Sequence, residues 1–125
     1  MTGGAASIPG DGRTRVVAAV IAARLQAVAV VLVDAENVRR SVWPNIGRSE
    51  LEQLVREWGR EHGHEVQVVW EGTETADDRI AYEVRQLRPP VWVVTSDRGL
   101  RERIADHAER VVGGGSFARE LQNYS

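Results

Sequence analysis

The sequence feature that most constrains the fold is the stretch Val28–Val38, which reads V-A-V-V-L-V-D-A-E-N-V. Six consecutive apolar residues, four of them Val, run directly into Asp34, a pattern typical of a strand buried on both faces. Such strands belong to the mostly parallel sheets of α/β proteins, which bind ligands just beyond the carboxyl ends of their strands. The sequence therefore predicts that Asp34, with Asn37 three residues later, lies where α/β proteins have their ligand-binding or active sites.

Strand and helix patterns alternate along the rest of the chain. A loop containing Trp43-Pro44-Asn45 is expected after Asp34, because Pro44 disfavours helix at the residue before it. The further elements expected are a helix over about 49–62 opened by Ser49, a strand over 65–71, a helix over about 76–88 opened at Thr75, a strand over 91–94, a helix over about 98–108, a short strand at 111–112 and a last helix opened by Ser116. The alternation predicts an α/β fold, a three-layer α/β/α sandwich whose mostly parallel sheet has about four to five strands.

The length of 125 residues favours one domain. Residues 1–13, rich in Gly, Ala and Ser, are expected to be a disordered tail, and residues 14–125 to form the domain, with a helix over about 14–25 packing on the sheet. A signal peptide is disfavoured because cleavage near Ala29 would leave only a stub of the first strand. A membrane span is disfavoured because Arg24 interrupts the apolar run. The absence of cysteine excludes disulfides and thiolate metal sites and is consistent with a cytoplasmic location.

The net charge of −2 gives no overall basic field of the kind that marks many nucleic-acid-binding proteins. All 16 basic residues are Arg, which a GC-rich genome explains as well as selection for phosphate contacts does. Polar residues near the predicted carboxyl edge are candidates for local contacts with a nucleic-acid backbone: Arg40, Arg98, Arg101 and Ser96. Trp43 or Trp70 could stack on a base, although core packing is an alternative for Trp70.

Three strands in succession end in a carboxylate, supplied by Asp34, Glu71 and Asp97. Asp77 shares the inward face of the helix that follows the second strand, at the end nearest the same edge. Crowded carboxylates raise one another's pKa, and a divalent cation relieves the repulsion. Hard oxygen ligands suit Mg²⁺ or Mn²⁺, and such an ion can activate water to displace a phosphodiester in line. The four acids therefore indicate a metal site.

Each of these residues also has a structural interpretation. Asn37 could form an Asx-turn, and Asp97 could cap the helix that follows it. Asp78 could complete a capping box with Thr75, and Glu71 could be a solvated loop acid. A weaker candidate is an anion-binding nest of Gly114, Gly115 and Ser116, for which a turn or hinge is the alternative.

Three motifs resemble those of a known family. V-L-V-D-A-E-N-V resembles the opening D-x-x-N motif of NYN domains, E-T-A-D-D-R-I resembles the T-A-D motif of the YacP-like branch, and V-V-T-S-D-R resembles its T-S-D motif. The three occur in the family's order, and the similarity covers about residues 27–122. NYN domains are similar to PIN domains, so the resemblance implies a PIN-like parallel sheet flanked by helices.

The resemblance also implies metal-dependent ribonuclease activity on RNA, with Mg²⁺ or Mn²⁺ held by Asp34, Asp77 and Asp97. By the same resemblance, Asn37 would orient Asp34 or bind the scissile phosphate, and Glu71 would serve as outer-shell ligand or base. Many related domains carry another acid shortly after the third motif, where this chain has Arg98-Gly99-Leu100. The expected function is a divalent-metal-dependent endoribonuclease. The alternatives are a non-catalytic RNA-binding module of the same fold and a toxin-type interaction protein.

Overall fold

A computed structural model describes residues 28–124, and the tail and first helix expected over residues 1–25 lie outside this range. The described chain forms, in order, β1 (Val30–Asp34), α1 (Ala35–Arg40), α2 (Arg48–His62), β2 (Glu65–Val69), α3 (Ala76–Gln86), β3 (Val91–Val94), α4 (Arg98–Ile104), β4 (Arg110–Val112), α5 (Gly114–Leu121) and a 3₁₀ turn (Gln122–Tyr124). None of the helices within residues 28–124 has the length and apolar character needed to cross a bilayer.

The four strands form one parallel sheet in the order β2-β1-β3-β4. β1 lies at its centre, with Asp34 beside Val69 of β2 and Val33 beside Val94 of β3. Every connection between neighbouring parallel strands carries at least one helix, as parallel pairing requires. The prediction of an α/β fold with a parallel sheet of about four strands is confirmed.

The apolar run of β1 supplies both faces of the sheet, which explains its continuous hydrophobicity. Val31 and Val33 pack in a cluster with Trp58 and Phe117, under α1, α2 and α5. Leu32, between the two valines, points to the opposite face and packs in a second cluster under α3 and α4. Because all three β1 side chains are fully buried, each contributes about 1.5–3 kcal/mol of hydrophobic stabilisation.

Two predictions about the segment after β1 were wrong. The chain enters α1 directly from Asp34 where a loop was expected, because Ala35 and Val38, three residues apart, are both buried against the core. Asn37 is therefore helical and forms no Asx-turn. α2 begins at Arg48 with Gly47 as its N-cap, so Ser49 does not cap it. Gly63 ends α2 in the left-handed conformation at φ 75°, which glycine adopts without steric cost.

The later helices start or end a few residues from their predicted limits. α3 ends at Gln86 instead of about 88, and α4 ends at Ile104, the last residue that it buries, instead of about 108. α5 begins at Gly114, two residues before Ser116. The Thr75 hydroxyl accepts from the backbone N–H of Asp78, as predicted, but the Asp78 carboxylate accepts from Arg103 at 2.9 Å.

The order of the strands creates a switch point between β1 and β3. From β1 the chain crosses outward through α1 and α2 to β2 on one side, and β3 and β4 extend the sheet on the other side. The connecting helices therefore leave β1 and β3 on opposite faces. In open α/β sheets, the crevice at such a point, beyond the carboxyl ends of the strands, is where ligands bind.

Candidate functional site

A cleft of about 670 Å³ opens at this switch point. It is lined by Asp34, Glu36, Asn37, Arg40, Ser41, Arg48, Glu71, Asp77 and Asp97. The cleft thus brings together the four predicted acids, Asn37 and Arg40. Within residues 28–124, the lining does not include Ser96, Arg98 or Arg101.

Asp34 is the most deeply placed of the four acids, with 6 % of its surface exposed. Its Oδ2 accepts a hydrogen bond of 2.8 Å from the hydroxyl of Thr95. Burial raises the pKa of Asp34, and the carboxylates of Asp77, Asp97 and Glu71 raise it further, while the Thr95 bond partly opposes the rise. The arrangement makes a fully ionised site costly in the absence of a cation.

Thr95 links two of the acids, and sequence reasoning missed it. Its side chain is fully buried at the end of β3. Its Oγ1 donates to Asp34 and accepts from the backbone N–H of Asp97 at 3.1 Å. The available sequence signal was a hydroxyl residue directly after the buried V-W-V-V run, at the same edge as Asp34.

Asp97 and Glu71 combine structural contacts with their place in the cleft. Asp97 Oδ1 accepts from the backbone N–H of Leu100 at 2.8 Å and so caps α4. Glu71 Oε2 accepts from the backbone N–H of Ala76 at 2.6 Å, at the start of α3. The second oxygen of each carboxylate accepts no hydrogen bond from a residue within the described range. These second oxygens are therefore open to a ligand.

Asp77 has no hydrogen-bond donor among residues 28–124, although it lies in the first turn of α3 beside the cleft. Burial raises its pKa, and the nearby Asp97 and Glu71 carboxylates raise it further, with partial compensation by Arg103. Asp77 is therefore the one acid of the four whose carboxylate has no hydrogen bond within the described residues.

Asn37 joins three elements around the cleft. Its Oδ1 accepts from the backbone N–H of Ser96 at 2.9 Å, and Ser96 Oγ accepts from the backbone N–H of Gly114 at 2.7 Å. Asn37 thus fixes the turn that carries Asp97, instead of directing Oδ1 at Asp34. The Gly114 amide already donates to Ser96 and is therefore not available to a phosphate in this arrangement. Of the three residues predicted to form an anion-binding nest, Gly115 and Ser116 remain candidates.

Two arginines lie on the wall of the cleft opposite the helix that carries Asp77. Arg40 contacts Glu36 at 3.1 Å, and Glu36 also binds Arg39 at 2.8 Å. The guanidinium of Arg48 lies 4.4 Å from the centre of the Trp70 ring. The sequence places Arg48 in the group of arginines that follows Asp34, without assigning it a direct contact with nucleic acid, and in the structure it is the first residue of α2.

The donor atoms suit a divalent cation in chemistry, and their spacing limits how it could bind. Carboxylate oxygens are the ligands that Mg²⁺ and Mn²⁺ prefer. Residues 28–124 contain no group of three Asp, Glu, His or Cys side chains already close enough to coordinate one ion. Mg²⁺ commonly binds through one or two carboxylates and keeps several waters. The acids fit an ion held in this way, with the remaining carboxylates reaching it through water.

We expect Asp34→Asn to stabilise the protein at neutral pH in the presence of EDTA. The amide keeps an oxygen for the Thr95 hydroxyl and removes a charge that burial and neighbouring acids oppose. Because the folded-state pKa of Asp34 is raised, its contribution to stability is full below the ordinary value of 3.8 and is lost as pH rises through the folded pKa.

The variant should therefore be more stable than wild type at pH 7 and should unfold at a higher temperature. The difference should vanish toward pH 3.8, the ordinary value for this group. Thermal unfolding followed by circular dichroism across this range measures it. A variant less stable than wild type at pH 7 would contradict the assigned repulsion.

Comparison of the chain with family models, curated proteins and solved structures gave no match.

Proposed function

We propose that this protein is a divalent-metal-dependent endoribonuclease of the NYN type, which hydrolyses RNA phosphodiester bonds in the cleft. One observation carries the proposal: four carboxylates from three segments of the chain line a single cleft at the switch point of a parallel sheet. Repulsion among them contributes to the raised pKa of both Asp34 and Asp77. Such a concentration of negative charge favours a divalent cation and disfavours an anionic ligand unless the cation is present.

Asp34, Asp77 and Asp97 would hold Mg²⁺ or Mn²⁺, directly or through water. When bound, the ion supplies a water of lowered pKa and polarises a phosphate oxygen. The Thr95 hydroxyl orients Asp34, and Asn37 holds the turn that presents Asp97. The second oxygen of Glu71 is available to accept a proton from water. Thr95 and Asn37 are thus positioning residues, whereas Glu71 would act on the water itself.

Arg40 and Arg48 would bind phosphates of the RNA strand along the opposite wall. Both line the cleft, and Arg–phosphate contacts raise affinity without reading sequence. Arg98, Arg101 and Ser96 do not line the cleft. In the proposal they would contact RNA only where the strand extends beyond the cleft. RNA as the partner and a cytoplasmic location are parts of the same proposal.

A second candidate function is RNA binding without catalysis. Two observations favour it: the described acids are not grouped at coordinating distances, and the position after the third motif holds Arg98-Gly99-Leu100, where many related domains have an acid. In this case the protein would bind RNA in Mn²⁺ and leave it intact.

We expect the full chain to cleave an end-labelled RNA in Mn²⁺ or Mg²⁺ and to stop when EDTA is in excess. Restoring Mn²⁺ should restore cleavage, because the ion supplies the activated water. In the same buffers, Mn²⁺ should raise Tm, because it binds the folded state. At a Mn²⁺ concentration of 100 times Kd, binding stabilises the folded state by about 2.7 kcal/mol. A gel of the RNA fragments and a thermal scan measure the two effects.

The cleavage and Tm measurements together distinguish the metal-dependent nuclease from the RNA-binding module. Cleavage that continues unchanged in EDTA would reject the metal-dependent mechanism. A rise in Tm with RNA binding but no cleavage would favour the binding module. No change in Tm with either cation would show that the four acids are not a metal site.

A further inference from the structure

Trp43 differs from the other tryptophans of the described chain in having no structural partner. Its side chain is 88 % exposed. The other three donate their indole N–H to glutamates: Trp58 to Glu120 at 2.7 Å, Trp70 to Glu52 at 2.6 Å and Trp92 to Glu109 at 3.3 Å. Within residues 28–124, Trp43 therefore has no packing partner that would account for so large an apolar side chain in water.

Trp43 also lies beside the cleft. It belongs to the segment between α1 and α2, and residues on either side of it, Ser41 and Arg48, line the cleft. Because consecutive Cα atoms are about 3.8 Å apart, the Cα of Trp43 is within about 7.6 Å of that of Ser41. Trp43 is not itself among the lining residues, so its exposed indole extends the surface next to the cleft wall that carries the arginines.

The segment that holds Trp43 is anchored on both sides. Before it, Val42 packs against the core. After it, Ile46 is buried, and its backbone N–H donates to the carbonyl of Arg39 at 3.2 Å. The exposed indole is therefore presented from a supported loop, which lowers the conformational entropy lost when a ligand binds.

We propose that Trp43 is a stacking platform for one unpaired nucleobase of the RNA strand whose phosphates enter the cleft. Arginines on the adjacent wall provide the positive charge for the phosphates, and an exposed indole provides a face for a base, the combination found where proteins bind single strands. In a duplex both faces of a base are already covered, so the platform selects unpaired bases. The inference rests on the proposed function for the identity of the ligand.

The test is the affinity of the full chain for short oligoadenylate, followed by fluorescence anisotropy in Ca²⁺ at low salt. Ca²⁺ also takes carboxylate oxygens, and binding requires no turnover. Stacking on an aromatic side chain is worth about 1–3 kcal/mol per base, so Trp43→Ala should weaken binding by about 5- to 150-fold. Trp43→Phe should retain most of the affinity, because the ring face is kept.

Two controls make the result specific. Tyr82→Ala removes another exposed aromatic side chain, which is 62 % exposed and lies outside the cleft lining, and it should leave affinity unchanged. Oligoadenylate annealed to oligouridylate should bind wild type and Trp43→Ala equally, because no base is free to stack. A further readout is iodide quenching of tryptophan fluorescence, which bound oligoadenylate should reduce in wild type but not in Trp43→Ala.

Equal affinity of wild type and Trp43→Ala for the single strand would overturn the inference, and so would a duplex that loses affinity with the variant. Trp43 shielded from iodide in the free protein, by a co-purifying protein or by another part of the chain, would also overturn it. Failure here is distinguishable from failure of the proposed function. Mn²⁺-dependent cleavage unaffected by Trp43→Ala rejects the platform alone, whereas stacking without cleavage rejects the nuclease alone.

Discussion

Asp77→Asn is expected to lower Mn²⁺-dependent RNA cleavage by at least about 100-fold, since losing even an outer partner of a metal ligand costs about 10- to 100-fold. The substitution removes one negative charge from the cleft and keeps the shape of the side chain. Because Asp77 accepts no hydrogen bond within residues 28–124 and its pKa is raised by burial and by neighbouring acids, the variant should be at least as stable as wild type in EDTA. Initial cleavage rates and a thermal scan measure the two quantities.

Asp78→Asn is the matched control, because it changes the next residue of the same helix. The Asp78 carboxylate is exposed, lies outside the cleft lining and pairs with Arg103. An exposed ion pair is worth about 0–1 kcal/mol, so this control should lose a little stability and keep its cleavage rate. Equal loss of activity in both variants, or none in either, would remove Asp77 from the proposed site.

The second expected result is that Gly114→Ala destabilises the protein by about 1–3 kcal/mol, the usual cost of overpacking. A Cβ at this position would lie 2.2 Å from Asn37 Oδ1 and 3.1 Å from Ser41 Oγ. Asn37 Oδ1 cannot retreat without giving up the N–H of Ser96. Without this steric conflict, alanine would stabilise the helix relative to glycine by about 1 kcal/mol. The sign of the change in unfolding free energy therefore tests whether Asn37 approaches Gly114 this closely.

Gly115→Ala is the control, one residue further along α5. Its Cβ would meet the flexible end of Arg119 at 3.4 Å and the Cβ of Ser41 at 4.0 Å, which are ordinary van der Waals contacts. This variant should match or exceed wild-type stability, and urea unfolding of the two variants measures the contrast. Gly114→Ala should also reduce cleavage at temperatures where it remains folded, because displacement of Asn37 releases the turn that carries Asp97. Stability equal to that of Gly115→Ala would contradict the described packing.

The parts of the fold that follow from periodicity were predictable from the sequence. The continuous apolar run of β1 required burial on both faces, and Val31 and Leu32 indeed pack on opposite sides of the sheet. The acids at the strand ends could be assigned to one edge because parallel strands share their direction. Their convergence on one cleft is a consequence of that topology.

The parts that depend on contacts distant in sequence were not predictable. α1 has only six residues, too few for helix propensity to be decisive, and it forms because Ala35 and Val38 pack on the core. The bond from the Ser96 N–H to Asn37 joins residues 59 positions apart. The place of Arg48 on the cleft wall likewise depends on how α2 lies against the sheet, which no local pattern encodes.

The Thr95 hydroxyl couples the positions of the Asp34 and Asp97 carboxylates. A hydroxyl has a single proton, and here it is committed to Asp34, so only lone pairs are left for the backbone N–H of Asp97. Any movement of the Asp34 carboxylate therefore acts on the start of α4 through one shared atom. Serine at this position would preserve both bonds, whereas the isosteric valine would release both acids in one step.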